Sequence, residues 1–184
     1  MRVLAVSGSL RRDSYNTQLL RAAAEAASEG IEVELWDGVR DLPLYDQDVD
    51  GAEPPEPVRR LREDWASADA ILFATPEYNG SVPGVLKNAV DWGSRPRDGA
   101  ALRNKTVAVV GASTGQFGAM WAQADLRKIL GTAGARVVGD EVPVTRAHEK
   151  FDAEGRLLEA ELFERLRGVV ETLAAEVSSV AAAA

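Results

Sequence analysis

The chain contains no cysteine and a single histidine. The first absence excludes disulfides, thiolate metal sites, iron–sulfur clusters and a cysteine nucleophile, and it is compatible with a reducing compartment. Cations are in the minority, with 21 Lys plus Arg against 29 Asp plus Glu and a formal charge of −8. Recognition of a phosphate backbone draws most of its affinity from clustered cations, so no nucleic-acid partner is expected. No apolar run approaches the roughly 20 residues of a membrane helix, and the run from Met1 to Val6, followed at once by Ser7-Gly8, is too short for a signal peptide. Two nucleotide fingerprints are missing as well: there is no G-x-x-x-x-G-K followed by Ser or Thr, and no G-x-G-x-x-G. With 184 residues and 46% in the hydrophobic set, the expectation is a cytoplasmic enzyme or carrier of one domain, residues 1–184, with a sizeable core.

What is present is a regular alternation of strand and helix. Val3-Leu4-Ala5-Val6 reads as a buried strand, and Leu19, Leu20, Ala23, Ala24 and Ala27 mark one face of a helix from Thr17 to Glu29 that stops at Gly30. Ile31 to Trp36 alternates polar and apolar residues, the pattern of a half-covered edge strand. A proline-rich loop over 37–57 leads to a helix near Val58–Ser67, then to the apolar strand Ala70–Ala74. Thr106–Val110 is a fourth strand, Leu126, Ile129, Leu130 and Ala133 face inward from the next helix, and Val137, Val138, Val142 and Val144 suggest a fifth strand. Leu162, Leu166, Val169, Val170, Leu173 and Val177 follow helical spacing before a tail, about 179–184, expected to fray. Five strands with helical crossovers predict an α/β three-layer sandwich whose parallel sheet runs in the order 2-1-3-4-5. That order puts its switch point between strands 1 and 3, where ligands bind outside the carboxyl ends.

Two loops open at that point. S-G-S-L-R-R-D-S-Y-N-T follows strand 1: Ser7, Ser9, Ser14, Asn16 and Thr17 supply hydroxyl and amide groups, Arg11 and Arg12 supply charge, and the next helix offers its free N–H groups. The set suits one phosphate dianion; the plainer alternative is that Ser14 or Asn16 caps the helix and the arginines are solvated. After strand 3 comes T-P-E-Y-N-G-S-V-P-G-V-L-K-N-A-V-D-W. Pro76, Asn79, Gly80 and Pro83 shape a tight turn whose N–H groups could meet ring carbonyls, and Tyr78 could cover a ring face. Read alone, that loop is equally a Pro/Gly turn with a surface tyrosine. A third segment, G-A-S-T-G-Q-F-G after strand 4, lies beside them.

Together, G-S-L-R-R-D-S-Y-N-T and P-E-Y-N-G-S-V-P-G-V-L-K-N-A-V-D-W resemble the NADPH-dependent FMN reductase family, and the similarity extends over almost the whole chain, including D-L-P-L-Y-D-Q-D and the third loop. The resemblance implies a flavodoxin-like fold and an FMN-dependent oxidoreductase that passes hydride from NADPH or NADH to FMN and on to a flavin, quinone, azo compound or metal oxyanion. It assigns Ser9, Arg11, Ser14, Asn16 and Thr17 to the FMN phosphate, and Pro76, Glu77, Tyr78, Asn79 and Gly80 to the isoalloxazine, with Ser113 approaching from the other side. It also implies a homodimer or homotetramer. Hydride chemistry belongs to the cofactor, so no catalytic side chain and no metal ligand are required, and a ping-pong cycle is expected.

Other conspicuous residues carry duller readings. Asp46-Gln47-Asp48-Val49-Asp50-Gly51 copies the opening of a calcium loop, but its twelfth position is Pro57 and flanking prolines forbid the paired helices. His148 reads as solvated, and Glu77 as a partner of backbone or of a second subunit. Arg95 and Arg97 are candidates for a nicotinamide cofactor's phosphate. Two alternative classes compete with the reductase: a flavodoxin-type electron carrier for protein partners, and a non-flavin enzyme such as a small phosphatase, which would need a base or metal cluster that the chain does not display.

Overall fold

The computed structural model describes residues 1–183. β1 (Arg2–Ser7) is followed by α1 (Tyr15–Ala26), β2 (Glu32–Trp36), α2 (Glu56–Ser67), β3 (Ala70–Ala74), α3 (Gly84–Gly93), β4 (Thr106–Ala112), α4 (Met120–Thr132), β5 (Arg136–Val137), β6 (Val142–Val144) and α5 (Ala160–Ala183). The strands form one sheet in the order β2-β1-β3-β4-β5, with β6 also on β4 and every pairing parallel. This is the predicted flavodoxin-like order, with the alternating β2 at an edge.

Side chains alternate across a strand, so β1 feeds two separate cores. Val3 and Ala5 join Leu19, Leu20, Leu166, Val170 and Leu173 beneath α1 and α5. Leu4 and Val6 join Leu61, Trp65, Leu86, Trp92 and Leu126 beneath α2, α3 and α4. The second core holds the bulky rings: Trp65 meets Trp36 and Phe73 edge-on, at centroid distances of 5.8 and 5.4 Å. Gly93 makes room for that indole, since a Cβ there would lie 2.6 Å from Trp65 Cζ3.

The fifth strand departs from expectation. It is split in two, because four residues of β4, from Val107 to Val110, face six residues from Val137 to Val142. The excess loops out through Gly139 at φ 66°, and α4 satisfies its backbone: Arg127 donates to the carbonyls of Val138 and Gly139, and buried Gln123 accepts from Val142 N–H. α1 also stops earlier than its apolar period suggests, at Ala26, and α5 continues as helix through the alanines to Ala183, where fraying was expected.

Candidate functional site

The carboxyl ends of β1, β3 and β4 deliver three loops to one place. In the first loop, Gly8 N–H donates to Ala74 C=O at 2.8 Å, fastening it to the end of β3. A Cβ at Gly8 would stand 2.7 Å from Leu86 Cδ2, so any larger residue would have to displace that buried side chain of α3. Ser14 caps α1, its Oγ accepting from the N–H groups of Asn16 and Thr17 at 3.2 and 3.4 Å. Ser9 Oγ accepts from Arg11 N–H at 3.4 Å. A hydroxyl that accepts still holds one proton to donate, so capping and anion binding are compatible at Ser14, and Ser9 keeps the same capacity. Arg11 lies with its guanidinium on Asp13 C=O at 3.0 Å and 6.0 Å from the Tyr15 ring centroid.

In the second loop Tyr78 and Ser81 exchange backbone hydrogen bonds at 3.1 and 3.2 Å. Asn79 and Gly80 between them have φ of 54° and 73°, the left-handed pair that a two-residue turn requires. Ser81 Oγ donates to Asp125 on α4 at 2.7 Å. Glu77 Oε2 accepts from the N–H groups of Trp121 and Ala122, both at 3.1 Å. Because α4 has no side-chain cap of its own and enters through Ala119 at φ 60°, Glu77 serves as its N-terminal anion from a distant loop. Glu77→Ala is therefore expected to lower stability by about 1 kcal/mol, read as a shift in denaturation midpoint, with Glu77→Gln recovering part of the loss.

The third loop is braced from β6 and the turn after it: Ser113 N–H donates to Val144 C=O, and the N–H groups of Arg146 and Ala147 donate to the carbonyls of Gly115 and Ser113. Asn16 joins first loop to third. Its Nδ2 donates to Ala112 C=O and its Oδ1 accepts from Ala112 N–H, both at 2.9 Å and buried.

Between the loops lies a crevice of about 190 Å³ lined by Ser9, Arg11, Ser14, Asn16, Pro76, Glu77, Tyr78 and Ser113, together with Tyr15, Ala112 and Thr114. Eight of the anticipated residues thus line one crevice. Thr17 stands behind the loop, donating to Ser7 Oγ at 2.9 Å, and Asn79 and Gly80 form the turn's exposed tip. Asn16 binds Ala112 through both ends of its amide, which spaces the loops and leaves one Nδ2 hydrogen to donate. Tyr15, which the sequence reading passed over, stacks on Phe151 at 5.9 Å; its place directly after a capping serine is the only signal for it. One end of the crevice is cationic and hydroxylic at a helix N-terminus, and the other sets Pro76 and Tyr78 against Ala112, Ser113 and Thr114.

Elsewhere, a cleft of about 700 Å³ lies at the amino ends of β4 and β5, lined by Lys87, Arg95, Arg97, Arg103 and Lys128 among others. It is larger than the crevice, but the three loops do not reach it, and Arg95 and Arg97 are thereby placed at the far end of the sheet. Asp50 is held by Arg62 at 2.7 Å and by Tyr45 Oη, and His148 is half-exposed, 3.6 Å from Glu149. Groups with shifted protonation stand outside the crevice: burial lowers the Lys105 pKa, and the N–H of Arg156 lowers that of Asp152. Among the described residues no helix is long and apolar enough to cross a membrane.

The chain is similar to known proteins over nearly its whole length. The chain is 42% identical over 174 residues to an NAD(P)H-dependent FMN reductase of Pseudomonas aeruginosa, covering 94% of this chain and 93% of that one. It is 40% identical over 183 residues to an NADPH:quinone oxidoreductase of Arabidopsis thaliana, covering 95% and 91%. Among solved structures it superposes with a TM-score of 0.87 on a flavoenzyme NAD(P)H:(acceptor) oxidoreductase of Paracoccus denitrificans, 35% identical, with 97% of each chain covered. Residues 1–149 match the model for NADPH-dependent FMN reductase, and the chain belongs to that family.

Proposed function

We propose that this protein is an FMN-dependent NAD(P)H oxidoreductase that reduces flat acceptors such as quinones, flavins, azo compounds or metal oxyanions. The observation that carries the reading is the crevice itself, which joins an end bearing Ser9, Arg11 and Ser14 to a wall bearing Pro76 and Tyr78 at the sheet's switch point. Its residues fit FMN. The hydroxyls of Ser9 and Ser14 and the Arg11 guanidinium, at the start of α1, would hold the phosphate. Pro76, Tyr78 and the backbone of the turn at Asn79-Gly80 would line the ring, with Ser113 and Thr114 opposite.

When bound, FMN supplies two-electron hydride chemistry, and the chain's task is to orient the rings and limit side reactions. Tyr78, 51% exposed, leaves the mouth open. Donor and acceptor then occupy the same face in turn, which is the basis for ping-pong kinetics. Tyr78, Phe117, Met120 and Trp121 make an exposed apolar surface beside that mouth, with the Phe117 and Trp121 rings 4.7 Å apart, and this surface supports a homodimer.

The test is a visible spectrum of the purified protein followed by anaerobic addition of NADPH and of NADH. Direct bleaching of a bound flavin is expected. Colourless protein that takes up no FMN in a titration would overturn the reading, and bleaching only through a partner reductase would make the protein an electron carrier. Initial rates should give parallel double-reciprocal lines; intersecting lines would replace ping-pong with a ternary complex.

A further inference from the structure

On the other side of the first loop from the crevice is a second cavity of about 290 Å³, at the carboxyl ends of β1 and β2. Arg11, Arg12, Arg21 and Arg40 line it, and among the described residues none of the four lies within ion-pairing distance of a carboxylate. The single acid in its wall, Asp37, is already engaged by Arg60 at 2.8 Å. With Arg11 assigned to the flavin phosphate, Arg12, Arg21 and Arg40 remain without a carboxylate partner around one cavity of a chain of net charge −8, which reverses the local field and favours an anion. Two of the four are held by backbone carbonyls. Arg40 donates to Leu10 C=O at 2.5 Å, and Arg11 to Asp13 C=O at 3.0 Å. The floor is apolar, with Leu10, Leu35, Trp36 and Val39. A site with planar guanidinium forks above an apolar floor matches a phosphomonoester attached to a heterocycle.

Resting on the flavin reading above, we propose that this cavity receives the 2′-phosphoadenosine end of NADPH and selects NADPH over NADH. Ser9 and Arg11 border both cavity and crevice, so a dinucleotide laid over the first loop reaches from one to the other. This places the phosphate-reading cations beside β2, in contrast to Arg95 and Arg97 at the far end of the sheet.

The experiment uses Arg21→Gln and, as a second variant, Arg40→Gln. Calorimetric titration of the wild-type protein should show adenosine 2′,5′-bisphosphate binding about tenfold or more tightly than adenosine 5′-monophosphate, the scale of a charge-assisted contact to one phosphate. Each variant should erase that difference. In turnover, kcat/KM for NADPH should fall about tenfold while that for NADH stays within about twofold. Equal affinity of the wild-type protein for the two nucleotides, or equal loss with both donors, would overturn the proposal. So would a weakened FMN titration in both variants with nucleotide discrimination intact, because the arginines would then serve the flavin phosphate. If the wild-type protein binds no FMN yet still discriminates between the nucleotides, the flavin reading fails and the phosphate subsite stands.

Discussion

Asn16→Leu is expected to destabilise the protein by about 3 kcal/mol and to weaken FMN binding at least tenfold. The side chain is 3% exposed and returns both of its hydrogen bonds to one residue, Ala112, at the end of β4. Leucine has the same branching with larger, apolar ends, and leaves Ala112 N–H and C=O buried without partners. Each such group costs roughly 1–3 kcal/mol, because water cannot replace what was lost. Spacing between the first and third loops then relaxes, and the wall containing Ser113 moves away from the wall containing Ser14. Denaturant unfolding measures the first effect and quenching of FMN fluorescence the second. A loss under about 1 kcal/mol would mean that Ala112 finds another partner and that the amide is no strut. Asn16→Asp is the informative companion, since it can still accept from Ala112 N–H but cannot donate to its carbonyl.

Gly118→Val should be at least as damaging. Gly118 has φ 56°, and a Cβ there would lie 2.7 Å from both Pro143 C and Val144 N. Those are backbone atoms of β6, so no side chain can swing aside to relieve the clash. The strained conformation costs about 1–3 kcal/mol, and forcing β6 outward adds a comparable amount. Because Val144 C=O holds Ser113 N–H, and Gln123 holds both Gly118 C=O and Val142 N–H, the third loop would be displaced with it. Gly115→Ala in the same loop is the control. Its nearest neighbour would be Ser113 Oγ at 3.6 Å, an ordinary contact with no positive φ, so the expected change is under about 0.5 kcal/mol. Thermal melts of the pair separate the two cases, and similar melting temperatures would refute the account of Gly118.

Much of the architecture can be read from residue periods. Val3 to Val6 and Ala70 to Ala74 are apolar without alternation and lie inside the sheet; Ile31 to Trp36 alternates, and the strand formed there lies at its edge. The split of the last strand was illegible because Val137 and Val142 both read as strand, and the excess between them shows only when register against β4 is counted. The start of α1 was read to within a few residues, since Ser14 acts on its immediate neighbours.

At the site, the residue types were legible but their division of labour was not. Ser9, Arg11, Ser14 and Tyr78 announce donors, charge and a ring in two loops, whereas nothing near Glu77 indicates that its carboxylate closes a helix 44 residues away. Nor does Arg21, spaced on α1 like any solvated residue, disclose that it shares a cavity with Arg40.

From sequence alone came the strand order, the two principal ligand loops and the family resemblance, all carried by periodicity and turn chemistry that act over a few residues. Tertiary structure alone decided which polar groups are spent on one another and which remain for a ligand. Asn16 and Ala112 are 96 residues apart, and a hydrogen bond across that distance exists only once the sheet has brought both ends together.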